Sequence, residues 1–243
     1  MKKNLSAILF SLAIIIAAFF LANAYKAKIN ARGLISVTGL GEQSFSSDLI
    51  VWEGSFIQES MDIKEAYAQL EINKKAIESY LKKNGVNSSE IVFSAVETSE
   101  NNQGKYTSDG KFMGTVFEGY ILRQSLQITS KEIDKIEKVS RKITELLNDG
   151  IRFYSEPPRY YYTKLEDLKI ELISKATQDA RLRAETIAEM SKSEVERLND
   201  AQMGVFQITG RNSEEEYSWG GAFNTSSREK IASITMKLTY KIK

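Results

Sequence analysis

The sequence has no cysteine and no histidine among its 243 residues. Without thiols there are no disulfide staples and no thiol nucleophile. Without imidazole there is no Ser-His-Asp or Cys-His catalysis, and both side-chain types that usually hold zinc are missing. Proline occurs twice and glycine 14 times, too sparsely for a collagenous or low-complexity chain. An excess of one charge is also absent: 33 basic side chains balance 32 acidic ones. A pI near 7.7 gives nucleic acid no field to follow. No enzymatic activity, cofactor, metal or nucleic-acid partner is therefore expected. What is present is a 27.4 kDa chain, 42% hydrophobic and 27% charged, with enough apolar residues to bury a core.

The N-terminus carries the one long hydrophobic run. Lys2 and Lys3 precede an apolar stretch from Leu5 to Ala22, broken only by Ser6 and Ser11. Basic residues followed by apolar ones describe a segment that enters a membrane with its N-terminus inside. Two readings stay open. Ala22-Asn23-Ala24 has the small-x-small form of a cleavage site, which would release the chain into the periplasm. The apolar run is also near the roughly 18 residues that span a bilayer, so residues 5–22 suit an uncleaved inner-membrane anchor. The chain divides accordingly into residues 1–24 (signal peptide or anchor), 25–33 (polar linker) and 34–243 (one α+β domain). Leaving out Lys2 and Lys3 moves the formal charge from +1 to −1, so the remainder is electrostatically bland.

From residue 34 on, short periodic segments alternate. Leu34 to Thr38 reads as a strand, with Gly39 and Gly41 marking a turn, and a second strand runs from Asp48 to Gln58. Ile63, Ala66, Tyr67, Leu70, Ile77 and Leu81 follow the three-and-four spacing of an amphipathic helix that Asn84-Gly85 ends. Ile91 to Val96 reads as a strand and Ser99 to Gly110 as a polar loop. Met113 to Thr129 reads as a long strand with Tyr120, Leu122, Leu126 and Ile128 on one face. Thr129 with Glu132, and Thr163 with Glu166, form capping-box patterns for two further helices. The first carries Ile133, Ile136, Ile143, Leu146 and Leu147 as its stripe. The second reaches about Ser191 and presents Ala176, Ala180, Ala184 and Ala188, a ridge of small side chains suited to close packing. Ile151 to Tyr154 and Met203 to Thr209 read as strands. In Ile231 to Ile242, apolar residues alternate strictly with polar ones, the clearest period-two segment of the chain. The order predicts an α+β fold, roughly ββαββαβαββ, with a mostly antiparallel sheet and helices on one face.

Motifs for chemistry are weak. Gly39-Leu40-Gly41 lacks the third glycine and the following helix of a dinucleotide site. Ser79 and Lys82 match the S-x-x-K spacing of some serine hydrolases, yet no companion motif follows. Glu214-Glu215-Glu216 offers oxygen ligands but reads better as a solvated loop. Phe153, Tyr154, Arg159, Tyr160, Tyr161 and Tyr162, crowded around Pro157-Pro158, form a candidate interaction patch. Aromatics with an arginine suit a subunit interface or a stacking surface for a sugar or peptide, and equally suit a cap on the core.

Several segments in order carry a resemblance: Ile35-Ser36-Val37-Thr38-Gly39-Leu40-Gly41-Glu42, Lys82-Lys83-Asn84-Gly85-Val86 with Ser89-Glu90-Ile91, Asn148-Asp149-Gly150-Ile151, and the stretch from Lys175 to Glu185. With the alternating C-terminal strand, they make the chain after residue 33 resemble the SIMPL-domain family of envelope proteins. Val195-Glu196 stands where many members carry Leu-Gly, and the Pro157-Pro158-Arg159 segment is a further departure. The resemblance implies an exported or anchored protein, a link in some members to oxidative-stress defence, and in at least one a large ring-like homo-oligomer. It supplies no catalytic residues. The expectation is a non-catalytic envelope protein acting through homo-oligomerisation or protein interaction. The alternative is a periplasmic module that binds a small ligand or peptide on the patch at residues 153–162.

Overall fold

The computed structural model describes the backbone of residues 2–30, 33–216 and 218–243; within the first helix it describes side chains from Phe10 to Lys26. That helix, α1 (Lys2–Asn30), is continuous through the expected polar linker as far as Asn30. Its described side chains are all exposed, Phe10, Ile15, Phe20 and Leu21 among them. The side chains of Lys2, Lys3 and the start of the apolar run lie outside the described residues. Among the described residues, no helix is long and apolar enough to cross a membrane.

Two antiparallel sheets, each with its own helical cover, follow. In the four-stranded sheet, β1 (Leu34–Ser46) pairs with β10 (Glu229–Ile242). The other side of β10 is shared end to end by β8 (Val195–Met203) and β9 (Gln207–Gly210). In the six-stranded sheet, β5 (Phe112–Ser130) pairs on one side with β2 (Leu49–Ser60). Its other side takes β3 (Ile91–Phe93) and β4 (Glu97–Tyr106). The far side of β2 takes β6 (Phe153–Ser155) and β7 (Arg159–Tyr161). Helices α2 (Ile63–Lys83) and α3 (Ile133–Lys142) cover this sheet, and α4 (Leu165–Met190) covers the other. The α+β class and the antiparallel pairing match the sequence reading. The order gains β4, β7 and β8.

Those three strands have physical reasons to be silent in the sequence. β4 lies exposed on both faces, so nothing enforces an apolar alternation. β7 is three residues long and follows two prolines. β8 slips register twice against β10, which breaks its periodicity. Two capping expectations also fail. β5 runs on to Ser130, whose hydroxyl accepts from the Glu132 N–H at 3.0 Å and donates to Glu90 at 2.6 Å. Thr163 instead donates through its N–H and hydroxyl to the two Asp48 oxygens, both at 2.7 Å. After Lys142, α3 tightens into a 3-10 stretch (Ile143–Asp149) that buries Ile143 and Leu146 and leaves Leu147 exposed. On α2, Ala66, Leu70, Ile77 and Leu81 are buried while Tyr67 lies outside the stripe. Asn73 takes the buried place between Leu70 and Ile77, donating to Gln58 and accepting from Gln69.

The core of the six-stranded half gathers Ile50, Trp52 and Phe56 of β2, Leu122, Leu126 and Ile128 of β5, and the helix stripes. The other half is built differently. Gly39 and Gly41 do not turn the chain: both lie inside β1, on the face toward α4. A methyl group on Gly39 would sit 2.1 Å from the Ala176 carbonyl oxygen, and one on Gly41 2.1 Å from that of Leu172. Ala176, Ala180, Ala184 and Ala188 are all buried in the same contact. Strand and helix backbones meet with almost no side chain between them, and Leu168, Leu172, Ile234, Leu238 and Val37 close the sides. Gly39→Ala is expected to cost about 3 kcal/mol in urea unfolding. Gly220→Ala, where an added methyl meets nothing within 4 Å, should stay within about 0.5 kcal/mol.

Candidate functional site

The tyrosine-rich segment lies along the seam between the two halves, and its residues part company there. Phe153 is buried in the six-stranded half, 5.9 Å between ring centres from Trp52. Tyr154 is exposed, with the Arg123 guanidinium 5.9 Å above its ring. Arg159 pairs with Glu53 on the outer face. Tyr160 is half-buried against the six-stranded core and donates its hydroxyl to Glu137 at 3.0 Å. Tyr161 lends its carbonyl to the Asp48 N–H at 3.0 Å. Tyr162 packs on Phe45 in the other half, 4.8 Å between ring centres. The rings belong to two short strands, β6 and β7, and to the residue that follows β7, so neighbours in sequence pack against different halves. The six residues do not form one continuous surface.

Polar contacts complete the seam. The Ser47 N–H donates to the Arg228 carbonyl at 3.0 Å, and the Tyr160 N–H to the Thr225 carbonyl at 2.7 Å. The Arg228 guanidinium lies 2.6 Å from Asp134 and 3.8 Å from Glu137. Its presence holds the Asp134 carboxyl below the usual range. Burial and the hydrogen bond to Glu137 push the Tyr160 hydroxyl up to about 12. Ser47 Oγ and Arg228 Nε are buried here without a hydrogen-bond partner, so the seam is imperfectly satisfied.

Sequence reasoning missed the residue at its centre. Lys230 is 2% exposed and donates through Nζ to the Tyr160 carbonyl at 2.5 Å. Burial lowers its pKa to about 8, against the opposing pull of Glu215. The signal was available: one more step of the β10 alternation, back from Ala232, puts Lys230 on the buried face. Glu215, from the triple glutamate, is no free carboxylate. It accepts from the Gly210 N–H at 3.0 Å and from Asn224 Nδ2 at 2.5 Å, and these bonds lower its pKa. Among the described residues, no group of three acidic side chains is placed to hold a metal ion. Ser79 is exposed on α2, and Lys82 is engaged by Glu78 at 2.6 Å, so the two make no enclosed site.

Besides α1, another exposed apolar surface lies on β4 and β5. β2 leaves β5 at Tyr120, and beyond that point β4 and β5 continue as a bare two-stranded arm. A register shift between Glu100 and Asn102, opposite Glu118 and Gly119, marks the root of the arm. Gly119 adopts φ +119° there, and a methyl group on it would meet the Ser60 carbonyl at 2.6 Å. Tyr106, Phe112, Met113, Val116 and Phe117 stand exposed along it. The polar pattern of Ser99 to Gly110 predicts a loop, whereas Glu97–Tyr106 forms the β4 side of this arm.

A family model described as SIMPL, protein of unknown function (DUF541), matches residues 35–242. The chain belongs to the SIMPL family. SIMPL is a family of unknown function and not a known enzyme family. No curated protein sequence matches this SIMPL chain. Among solved structures, a B. subtilis GlnK-ATP complex is similar at 16% identity, over 44% of this chain and 84% of that one. Its TM-score is 0.24.

The buried amine sets a pH dependence for the SIMPL fold. Between about pH 8 and the ordinary lysine pKa near 10.4, folded Lys230 has lost its proton while the unfolded chain retains it. The unfolded state then binds more protons, so this residue's contribution to stability rises with pH across that window. Urea unfolding of wild type and Lys230→Met at pH 7, 8, 9 and 10 should show the difference shifting toward wild type above pH 8. Parallel curves would refute the assignment.

Proposed function

We propose that this chain is a non-catalytic cell-envelope protein that acts by self-association, with a setting in envelope or oxidative-stress defence. In this reading residues 5–22 either anchor it in the inner membrane or are removed by cleavage near Ala24. The observation that carries the proposal is the β4–β5 arm. A lone two-stranded hairpin is marginal in water, and this one exposes five large apolar side chains with no third strand paired to its outer part among the described residues. An exposed ribbon of that kind is an aggregation hazard unless it has a docking partner. The basic and apolar N-terminal segment supports the location.

One observation favours a second reading, a module that binds a small polar ligand. Beside Tyr154, the open face of the six-stranded sheet holds a shallow cavity of about 390 Å³. Glu53, Ser55, Arg123, Ser125, Gln127 and Glu156 supply its polar lining. Of the expected patch, only Tyr154 and Arg159 are exposed near it.

Sedimentation velocity of the full chain in mild detergent is expected to show species larger than a monomer at micromolar concentration. Replacing Phe112 and Met113 together by serine should shift the population to monomer without changing the thermal unfolding of the rest. A strictly monomeric wild type would overturn self-association. N-terminal sequencing of the mature protein decides between anchor and cleaved leader.

A further inference from the structure

The edge of the four-stranded sheet has its own unmet bonding. β1 pairs with β10 alone among the described strands. The Leu40 N–H donates sideways to Asp179 Oδ2 of α4 at 2.8 Å. Leu40 therefore turns its backbone away from β10, and by antiparallel alternation Ser36 and Thr38 do the same. Beside them, between β1 and α4, lies a cavity of about 430 Å³ lined by Val37, Thr38, Leu182, Arg183, Thr186 and Ile187. Leu182 is 63% exposed and Ile187 48%. A strand edge next to an apolar helix flank is the geometry by which an extended segment adds to a sheet. The backbone supplies affinity, and a pocket takes alternate side chains.

We propose that the arm of one copy docks along this edge of a second copy. The free side of its β5 segment (residues 112–118) would lie against β1, with an apolar side chain in the cavity between β1 and α4. This deepens the self-association reading and rests on it. Two features select the arm as occupant. It is already an extended strand with one free edge, since β2 covers β5 only from Tyr120 on. It also carries four exposed apolar side chains, Phe112, Met113, Val116 and Phe117, that match the apolar flank formed by Leu182 and Ile187. Arm and edge are different surfaces, so the contact is head-to-tail and each copy offers one of each.

Complementation tests this directly. Leu182→Asp spoils the groove, and Val116→Asp with Phe117→Asp spoils the arm. All three positions are exposed, and thermal unfolding is expected to stay at wild-type values. In sedimentation velocity of the full chain in detergent, each variant alone should associate at least about tenfold more weakly than wild type, the loss expected for a central apolar contact. An equimolar mixture should recover 1:1 dimers, because one intact arm can still meet one intact groove. Leu182→Met should associate as wild type does. If wild type self-associates but Leu182→Asp does so equally well, the groove is not the socket. The proposal also falls if both variants are monomeric and their mixture stays so. Either result would leave the broader reading standing, whereas a monomeric wild type removes both.

Discussion

The four-stranded half depends on backbone meeting backbone. α4 approaches β1 so closely that Gly39 and Gly41 admit no side chain, and the helix answers with alanine at every fourth position. Such a contact buries little apolar area, so its own hydrophobic contribution is small. Its value lies in what the short distance permits. Leu168 and Leu172 reach Ile208, Ala232 and Ile234, while Val37, Leu238 and Tyr240 close around Ala180 and Ala184. A methyl group on either glycine would lift the helix and open both clusters at once. Interiors at crystal-like packing density do not absorb such a displacement gradually.

The same approach determines the edge. With α4 pressed onto the face of β1, Asp179 hangs over the strand's outer side and takes the Leu40 N–H, which lowers the carboxyl's pKa. One edge position is thereby occupied, in the manner of sheets that guard against uncontrolled pairing. Nearer the start of the strand no such guard is found among the described residues, and Leu182 and Ile187 border it instead. Guarded and open segments sit within a few residues of each other on one strand. A uniform need to prevent aggregation would have covered both.

Much of this was legible in the sequence where burial enforces a period. The alternation of β10, the stripe of α2 and the alanine ladder of α4 are all one-sided burials, and each appears in the fold with few exceptions: Ile63 and Tyr67 are exposed on α2, and Ser233 is buried on β10. The failures share a cause. β4 and the outer part of β5 bury neither face, so their sequence follows no period, and the polar residues of Ser99 to Gly110 resemble a loop. Gly39 and Gly41 resemble a turn because a turn and a close approach make the same demand on a side chain. Only the location of Ala176 and Leu172 tells the two apart. The tyrosines cluster in sequence, but they lie where the chain passes from one half to the other, so Tyr160 packs on one core and Tyr162 on the other. Thr163 looks like a helix cap until Asp48, 115 positions away, claims both its donors. The paired Thr/Glu spacing carries no information about such a distant competitor.

The seam shows what the fold accepts in order to join its halves. Apolar packing dominates within each half, but between them run Asp48, Tyr160, Arg228 and Lys230, with Ser47 Oγ and Arg228 Nε unpartnered. Burying an amine costs stability unless its charge is compensated. Here the compensation is one carbonyl and the field of Glu215. Polar bonds demand direction and position where apolar contacts do not, so such a seam fixes how one half sits on the other. That orientation matters for any head-to-tail assembly, because the arm springs from one half and the open edge of β1 belongs to the other. An apolar seam would hold the halves together more strongly while constraining their relative rotation less. The relative placement of arm and edge therefore depends on directional polar contacts rather than on apolar packing.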